Sequence, residues 1–388
     1  MMNKQKLSQV EELFRKEIEA GRLADASLLI FQNDKEEFFR TWGAAKRDTI
    51  FEIFSMTKPV TAVAVMILYE RGFLDLCDPV SKYLPAFEKC KVLTQKGGLT
   101  AAKTPITIKH CMDMTSGLVY PGNENKCETL MAKSVEALKK KYRSGKPIAL
   151  SEFAECFAKA PLIAQPGEVW HYGISADVLG MIVSVISGMK LSDFMAQEIF
   201  EPLGMNDTGF SVPEEKGNRL AVMYMTDAKT GRIVPADEKK LEELVRRGVE
   251  HPIAFEAGGS GLYSTIDDYS VFARMLLNGG EWNGRRILGR KTVEFMRTNQ
   301  LTKEQMKGIY FEHAFGYGYG NLMRVLADKT VTGTNGSIGE YGWDGLPGNY
   351  FFIDPEEKMI LIYMQQIAEG QDASVRRKLR QIVYGSLE

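Results

Sequence analysis

The chain has 388 residues, 44% of them hydrophobic and 26% charged, the balance of a folded globular protein rather than a disordered or fibrous one. Its 49 basic and 50 acidic side chains leave a net charge of -1, which excludes the electrostatic footprint of a general nucleic-acid binder. No charge-free apolar stretch approaches the ~20 residues of a membrane-spanning helix, and at roughly 150 residues per domain the length allows two or three domains or one composite fold.

Taken in chain order, residues 4–21 place apolar side chains at helical spacing (Leu7, Val10, Leu13, Phe14, Ile18) and Gly21 closes the run. This N-terminus lacks the apolar core and cleavage site of a secretory signal, so a cytoplasmic location is expected. Strands are predicted over Ala26–Gln32 and Glu37–Trp42, joined across Asn33-Asp34 as a hairpin. A third, Ile50–Phe54, runs directly into an apolar helix that ends at Gly72, with Pro59 early, where a lost N–H costs least. Further helices are predicted over Ile106–Met114, Leu150–Ala160, Ala176–Ile186 and Leu191–Phe200. The segments 119–148 and 211–250 are polar and charged, and read as irregular surface insertions near or over a site. A Gly258–Gly261 turn precedes a helix over Ile266–Leu277. Strands follow over Phe315–Leu322, Asn349–Ile353 and Met359–Met364, then a last helix from about Ser374. Strands at both ends with helices between them predict an α+β fold. One antiparallel sheet would be assembled from residues 1–75 and 255–388, flanked by terminal helices, with a mostly helical domain, 76–254, inserted.

The segment with most chemical content is Ser55-Met56-Thr57-Lys58, at a strand-to-helix junction. Positions i and i+3 share a helical face, so the Lys58 amine can reach the Ser55 hydroxyl. A serine hydroxyl needs an adjacent base, and burial can depress a lysine's pKa far enough to provide one. On its own the pattern occurs often by chance and reads first as a helix cap followed by a solvated lysine. Other signals are weaker. The five cysteines (Cys77, Cys90, Cys111, Cys127, Cys156) include no C-x-x-C pair and read as reduced structural thiols. His110, His171, His251 and His313 have no metal-ligand spacing, and His171 reads as a packing or supporting residue. There is no G-x-S-x-G elbow. Ser260 reads as part of a tight turn, and Gly316-x-Gly318-x-Gly320 as a close-packed strand.

At Gln165-Pro-Gly-Glu-Val-Trp-His-Tyr172-Gly173-Ile174-Ser175 the chain resembles the serine β-lactamase and penicillin-binding-protein superfamily. Within it, the chain is most similar to class C β-lactamases, family VIII esterases and D-aminopeptidase-like hydrolases. The resemblance spans nearly the whole chain through FSMTKPVTAVAVMILYERGFLDLCDPVSKYLP, ITIKHCMDMTSGL, IFEPLGMNDTGF, GGSGLYSTIDDYSVFARMLLNGG and YGWDGLPGNYFFIDPEEKM. It implies the β-lactamase/transpeptidase-like fold and an acyl-enzyme reaction with no metal or organic cofactor. Ser55 matches the family nucleophile, Lys58 its lysine, and Tyr172 the tyrosine of Y-x-N, which relays a proton to the leaving group. Trp343-Asp344-Gly345, followed by Leu346, stands where the family has K-T-G. By the same resemblance the N–H groups of Ser55 and Leu346 form the oxyanion hole, and Gly345 permits close backbone approach.

Two departures bear on the substrate. Ile174 replaces the Y-x-N amide, and Trp343-Asp344 replace the cation and hydroxyl that receive a β-lactam carboxylate. If Asp344 faced the cleft, its repulsion of such a group at ~4 Å would amount to about 4 kcal/mol at an effective dielectric near 20. The alternative is that Asp344 points away and pairs with a surface cation. The expected activity is hydrolysis of small esters or amides, with no nucleic-acid or membrane partner and the oligomeric state left open. A β-lactamase or D-alanyl-D-alanine carboxypeptidase, an acyltransferase on the same machinery and a non-catalytic binding module are the alternatives.

Overall fold

A computed structural model describes residues 2–237, 241, 255–368, 370 and 373–388. Seven antiparallel strands form the main sheet: β1 (Ala26–Gln32), β2 (Lys35–Trp42), β3 (Tyr317–Gly320), β4 (Met323–Leu326), β5 (Tyr341–Asp344), β6 (Tyr350–Asp354) and β7 (Met359–Gln365). Their spatial order is β3-β4-β5-β6-β7-β1-β2, so the two chain ends meet where β1 pairs with β7. The β1–β2 hairpin turns at Asn33 and Asp34, both left-handed (φ 51° and 60°), the conformation a two-residue hairpin turn requires.

Strand alternation sorts the side chains between two cores. Leu28, Ile30, Phe352 and Leu361 face the terminal helices α1 (Gln9–Glu19) and α6 (Ala373–Gly385), whose Val10, Phe14, Leu379 and Val383 complete that layer. Leu29, Phe351, Ile353 and Ile362 face the other way, into a larger core shared with α2 (Thr57–Glu70), α4 (Ser175–Ser187) and α5 (Ile266–Leu277). Helix α2 is buried along nearly its whole length, as expected of a helix apolar on all sides.

Several expectations are corrected. The strand over 315–322 shortens to Tyr317–Gly320 and opens a β3–β4 hairpin that turns at Asn321 and Leu322 with φ of 52° and 63°, its second strand, Met323–Leu326, not having been predicted. The strand over 50–54 shortens to Phe51–Glu52, the helix over 106–114 to Ile108–Met112, and the helix from Leu191 becomes π-helical over Ala196–Phe200. Much of segment 119–148 is the 18-residue helix α3 (Lys126–Arg143), capped where Asn125 Oδ1 accepts the Glu128 N–H at 3.0 Å. Part of the 211–250 segment, and His251, lie outside the described residues.

Candidate active site

Ser55 stands in a single 3₁₀ turn, Phe54–Met56, between the short strand Phe51–Glu52 and α2. Phe54 is left-handed (φ 45°), a conformation that costs a non-glycine residue about 1 kcal/mol or more and concentrates at functional sites. The turn is held from α5, whose Tyr269 hydroxyl donates to the Met56 carbonyl at 2.9 Å. The end of β5 approaches it closely. A Cβ on Gly345 would lie 2.6 Å from the Ile53 carbonyl oxygen, so the glycine is required for that approach.

Lys58 reaches back one turn of α2. Its Nζ lies 3.1 Å from Ser55 Oγ, 3.0 Å from the Tyr120 hydroxyl and 2.8 Å from the Gly259 carbonyl oxygen. The side chain is completely buried. Burial pushes its pKa down to about 7, against the Asp177 carboxylate, which acts to raise it. The solvated-lysine alternative is thereby excluded. Asp177, in the first turn of α4, accepts the Gly259 N–H at 3.0 Å, so the same carboxylate also fixes the Gly258–Gly261 turn whose carbonyl holds the amine.

Tyr172 closes the other side. Its ring lies 4.6 Å from Lys58 Nζ, and its hydroxyl accepts the Trp343 indole N–H at 3.0 Å. Burial raises its pKa above the usual phenol value, partly opposed by hydrogen bonds from Ser55 and Trp343, which keeps it a phenol. With one lone pair taken by the indole, its own proton is free to be donated into the cleft. Tyr120 is the residue the sequence reading missed. It follows a turn in which Ser116 Oγ and Ser175 Oγ meet at 2.8 Å, and Gly173 lets the two tyrosine-bearing segments touch. A Cβ there would lie 2.0 Å from the Leu118 carbonyl oxygen.

The cleft over Ser55 encloses about 340 Å³ and is mostly aromatic, with Tyr120, Tyr172, Phe311 and Trp343 on its walls and Leu346 and Ser260 at its edge. Ile174 does not reach it. That side chain is buried in the large core at the N-terminus of α4. Asp344 departs from both expectations. It is buried at the end of β5, bordering the cleft, but its carboxylate is taken up by cations: Oδ1 accepts from Arg324 at 2.5 Å and Oδ2 from Arg376 at 2.9 Å, with His313 Nε2 at 3.2 Å. Burial alone would raise its carboxyl pKa, but the two guanidiniums and His313 hold it well below the usual range. It is therefore neither a free carboxylate in the cleft nor the partner of a surface cation, and the repulsion of anionic substrates drawn from the sequence falls away.

The remaining candidates are structural. His110 Nδ1 accepts the Thr107 N–H at 3.2 Å as part of a capping box, and His171 packs against the Tyr310 ring at 6.0 Å. Cys111 is fully buried, and that burial pushes its thiol far above the range of a nucleophile.

Comparison with known proteins agrees with this architecture. The Beta-lactamase family model matches residues 10–384. Protein Rv1367c of Mycobacterium tuberculosis is 33% identical over 91% of this chain and 88% of its own length. Esterase EstB of Burkholderia gladioli is 28% identical, over 97% of this chain and 95% of its own. Among solved structures, EstCE1, described as a hydrolase with promiscuous acyltransferase activity, superposes with a TM-score of 0.80 at 25% identity, covering 98% of this chain and 99% of its own. The chain belongs to the Beta-lactamase family of serine hydrolases.

Proposed function

We propose that the protein cleaves small esters or amides through an acyl-Ser55 intermediate. The observation that carries this reading is the neutralisable amine of Lys58, buried and 3.1 Å from Ser55 Oγ. Neutral Lys58 takes the hydroxyl proton as Ser55 Oγ attacks the carbonyl carbon. The tetrahedral oxyanion forms between the N–H groups of Ser55 and Leu346, which flank the same cleft. Tyr172, a phenol whose oxygen already accepts from Trp343, passes its proton to the leaving oxygen or nitrogen and is reprotonated from Lys58. Water activated by the same amine then releases the acid and frees Ser55.

Intact-protein mass spectrometry after brief exposure to p-nitrophenyl butyrate tests this, with Ser55→Ala alongside. The expected result is a butyryl mass on the wild type alone, and little adduct with a penicillin, because Trp343 and Asp344 replace the lysine and threonine of K-T-G. An adduct that persists in Ser55→Ala would remove Ser55 from the role. The described activity of EstCE1 supports a second outcome on the same intermediate, acyl transfer to an alcohol. It is read as butyl butyrate formed when butanol is added.

A further inference from the structure

The sheet face opposite the cleft carries a second cavity, of about 230 Å³, lined by Arg324, Arg376, Arg377 and Arg380. It adjoins the catalytic cleft at His313 and Asp344, which line both. Among the described residues that line this cavity or pair directly with its guanidiniums, four arginines meet three carboxylates. Arg380 is matched by Glu340 through two hydrogen bonds of 2.7 Å. Arg377, at the rim, faces the exposed Glu312 at 3.8 Å. Arg324 and Arg376, with side chains only 3% and 7% exposed, share the single carboxylate of Asp344. A guanidinium cannot shed its proton to escape burial, and a buried charge without its own counter-ion is strongly unfavourable. Moreover, Arg376 Nη2 is buried and has no hydrogen-bond partner among the described residues, an unsatisfied donor of the kind folded proteins avoid.

We propose that this cavity receives a carboxylate on the substrate, at the far end of a chain whose ester carbonyl is held over Ser55. The inference rests on the acyl-Ser55 reading and adds a charge preference to it. A monoanion matches the one unmatched guanidinium charge, and the planar carboxylate fits the guanidinium fork. His313, between the two cavities, marks where the chain would pass. Asp344 holds the two arginines in place and does not repel the ligand, because its own charge is already spent on them.

The test compares kcat/KM for the p-nitrophenyl hemiesters of adipate, pimelate and suberate with that for neutral p-nitrophenyl esters of matching length, after subtracting spontaneous hydrolysis. At least one hemiester is expected to exceed its neutral partner by about tenfold, the scale of one charge-assisted hydrogen bond. That advantage should shrink as salt is raised and collapse toward unity in Arg376→Gln. A wild-type ratio at or below one for every length overturns the proposal. Because Arg376→Gln removes a buried ion-pair partner and can fail to fold, adipate is also titrated calorimetrically into Ser55→Ala, against adipamide as the uncharged control. Saturable binding of adipate alone supports the site, and no difference between the two overturns it. This second arm does not depend on turnover, so failure of the acyl-Ser55 reading, seen as no adduct with the neutral esters, is distinguished from failure of the anion site.

Discussion

Two buried cationic clusters lie on opposite faces of β5, one residue apart in the chain. On one face Trp343 touches Tyr172 and through it the Lys58 amine. On the other, Asp344 binds Arg324 and Arg376. Both clusters take positive groups out of water, yet with opposite results. The lysine can lose its proton, and burial brings its pKa to about 7, so desolvation turns a surface cation into a base. The arginines cannot, so desolvation forces them to keep a carboxylate partner and leaves a fixed positive field. Period-two alternation of a strand is what separates a base from a permanent charge within two residues.

The largest expected effect is at the lysine. Lys58→Ala should lower kcat/KM for p-nitrophenyl butyrate by about 10²–10⁴-fold, the usual contribution of a positioned base. Lys58→Arg is the sharper variant, because it keeps the charge and length but cannot be neutral at working pH. It should be as inactive as the alanine variant. Activity retained in Lys58→Arg would mean that the positive charge, not the neutral amine, is what matters, and the contrast between the clusters would fail.

Next comes the other face. Asp344→Asn leaves two guanidiniums without their shared carboxylate, and breaking a buried pair in this way costs about 3–5 kcal/mol. Urea unfolding should show it as a lower midpoint at unchanged slope. An unshifted midpoint would mean that the arginines are solvated rather than held by Asp344. The linkage has a sign. The Asp344 carboxyl pKa is lowered in the fold, so its contribution is present above the ordinary aspartate range and is lost as pH falls through that range and below it.

How much of this was legible depends on the range over which the information acts. The β1–β2 hairpin was readable because Asn33-Asp34 encodes its turn locally, and Ser55 with Lys58 because both sit within one helical turn. Gly345 was assigned its close approach from the family pattern alone, and the 2.6 Å clearance to Ile53 gives the reason. Helix α3 was missed although its signal is present. Cys127, Met131, Val135 and Leu138 recur at helical spacing, and Asn125-x-x-Glu128 is a capping pattern, but the surrounding lysines masked the stripe. Tyr120 and the Arg324–Asp344–Arg376 group had no local signal. Their partners are 62, 20 and 32 residues away, and only the folded sheet brings them together. Asp344 shows the consequence. Its residue type was read correctly as a charge beside the site, while its meaning depended on arginines that no motif connects to it.

A smaller effect separates desolvation from the field that opposes it. With Lys58 as the base, kcat/KM should rise with pH and reach half its plateau at about 7. Asp177 acts to raise that value, so Asp177→Asn should move the acid limb to lower pH, and the rate at pH 6 should rise relative to pH 8. Asparagine keeps an oxygen to accept the Gly259 N–H, whereas Asp177→Ala removes charge and acceptor together and should also lower the plateau. An unmoved limb in Asp177→Asn would show that burial alone sets the amine's proton affinity.

The smallest expected effect is at Tyr120, and its size decides what the residue does. Its hydroxyl is one of three oxygens within 3.1 Å of Lys58 Nζ, and burial raises its pKa well above the usual phenol range, so it stays protonated throughout the working range. A phenol that only helps hold the amine contributes one ordinary hydrogen bond, about 0.5–1.5 kcal/mol. Tyr120→Phe should therefore lower kcat/KM by no more than about tenfold. A residue that transfers a proton in the reaction would instead show the 10²–10⁴-fold loss expected of general acid–base catalysis, and that is the loss expected for Tyr172→Phe. Both tyrosines face the same amine, and their rings lie 5.7 Å apart. What separates them is the Trp343 indole, which binds the Tyr172 oxygen and leaves its proton for the leaving group. If both phenylalanine variants lose activity equally, the indole is not what assigns the proton, and the relay is shared between the two phenols.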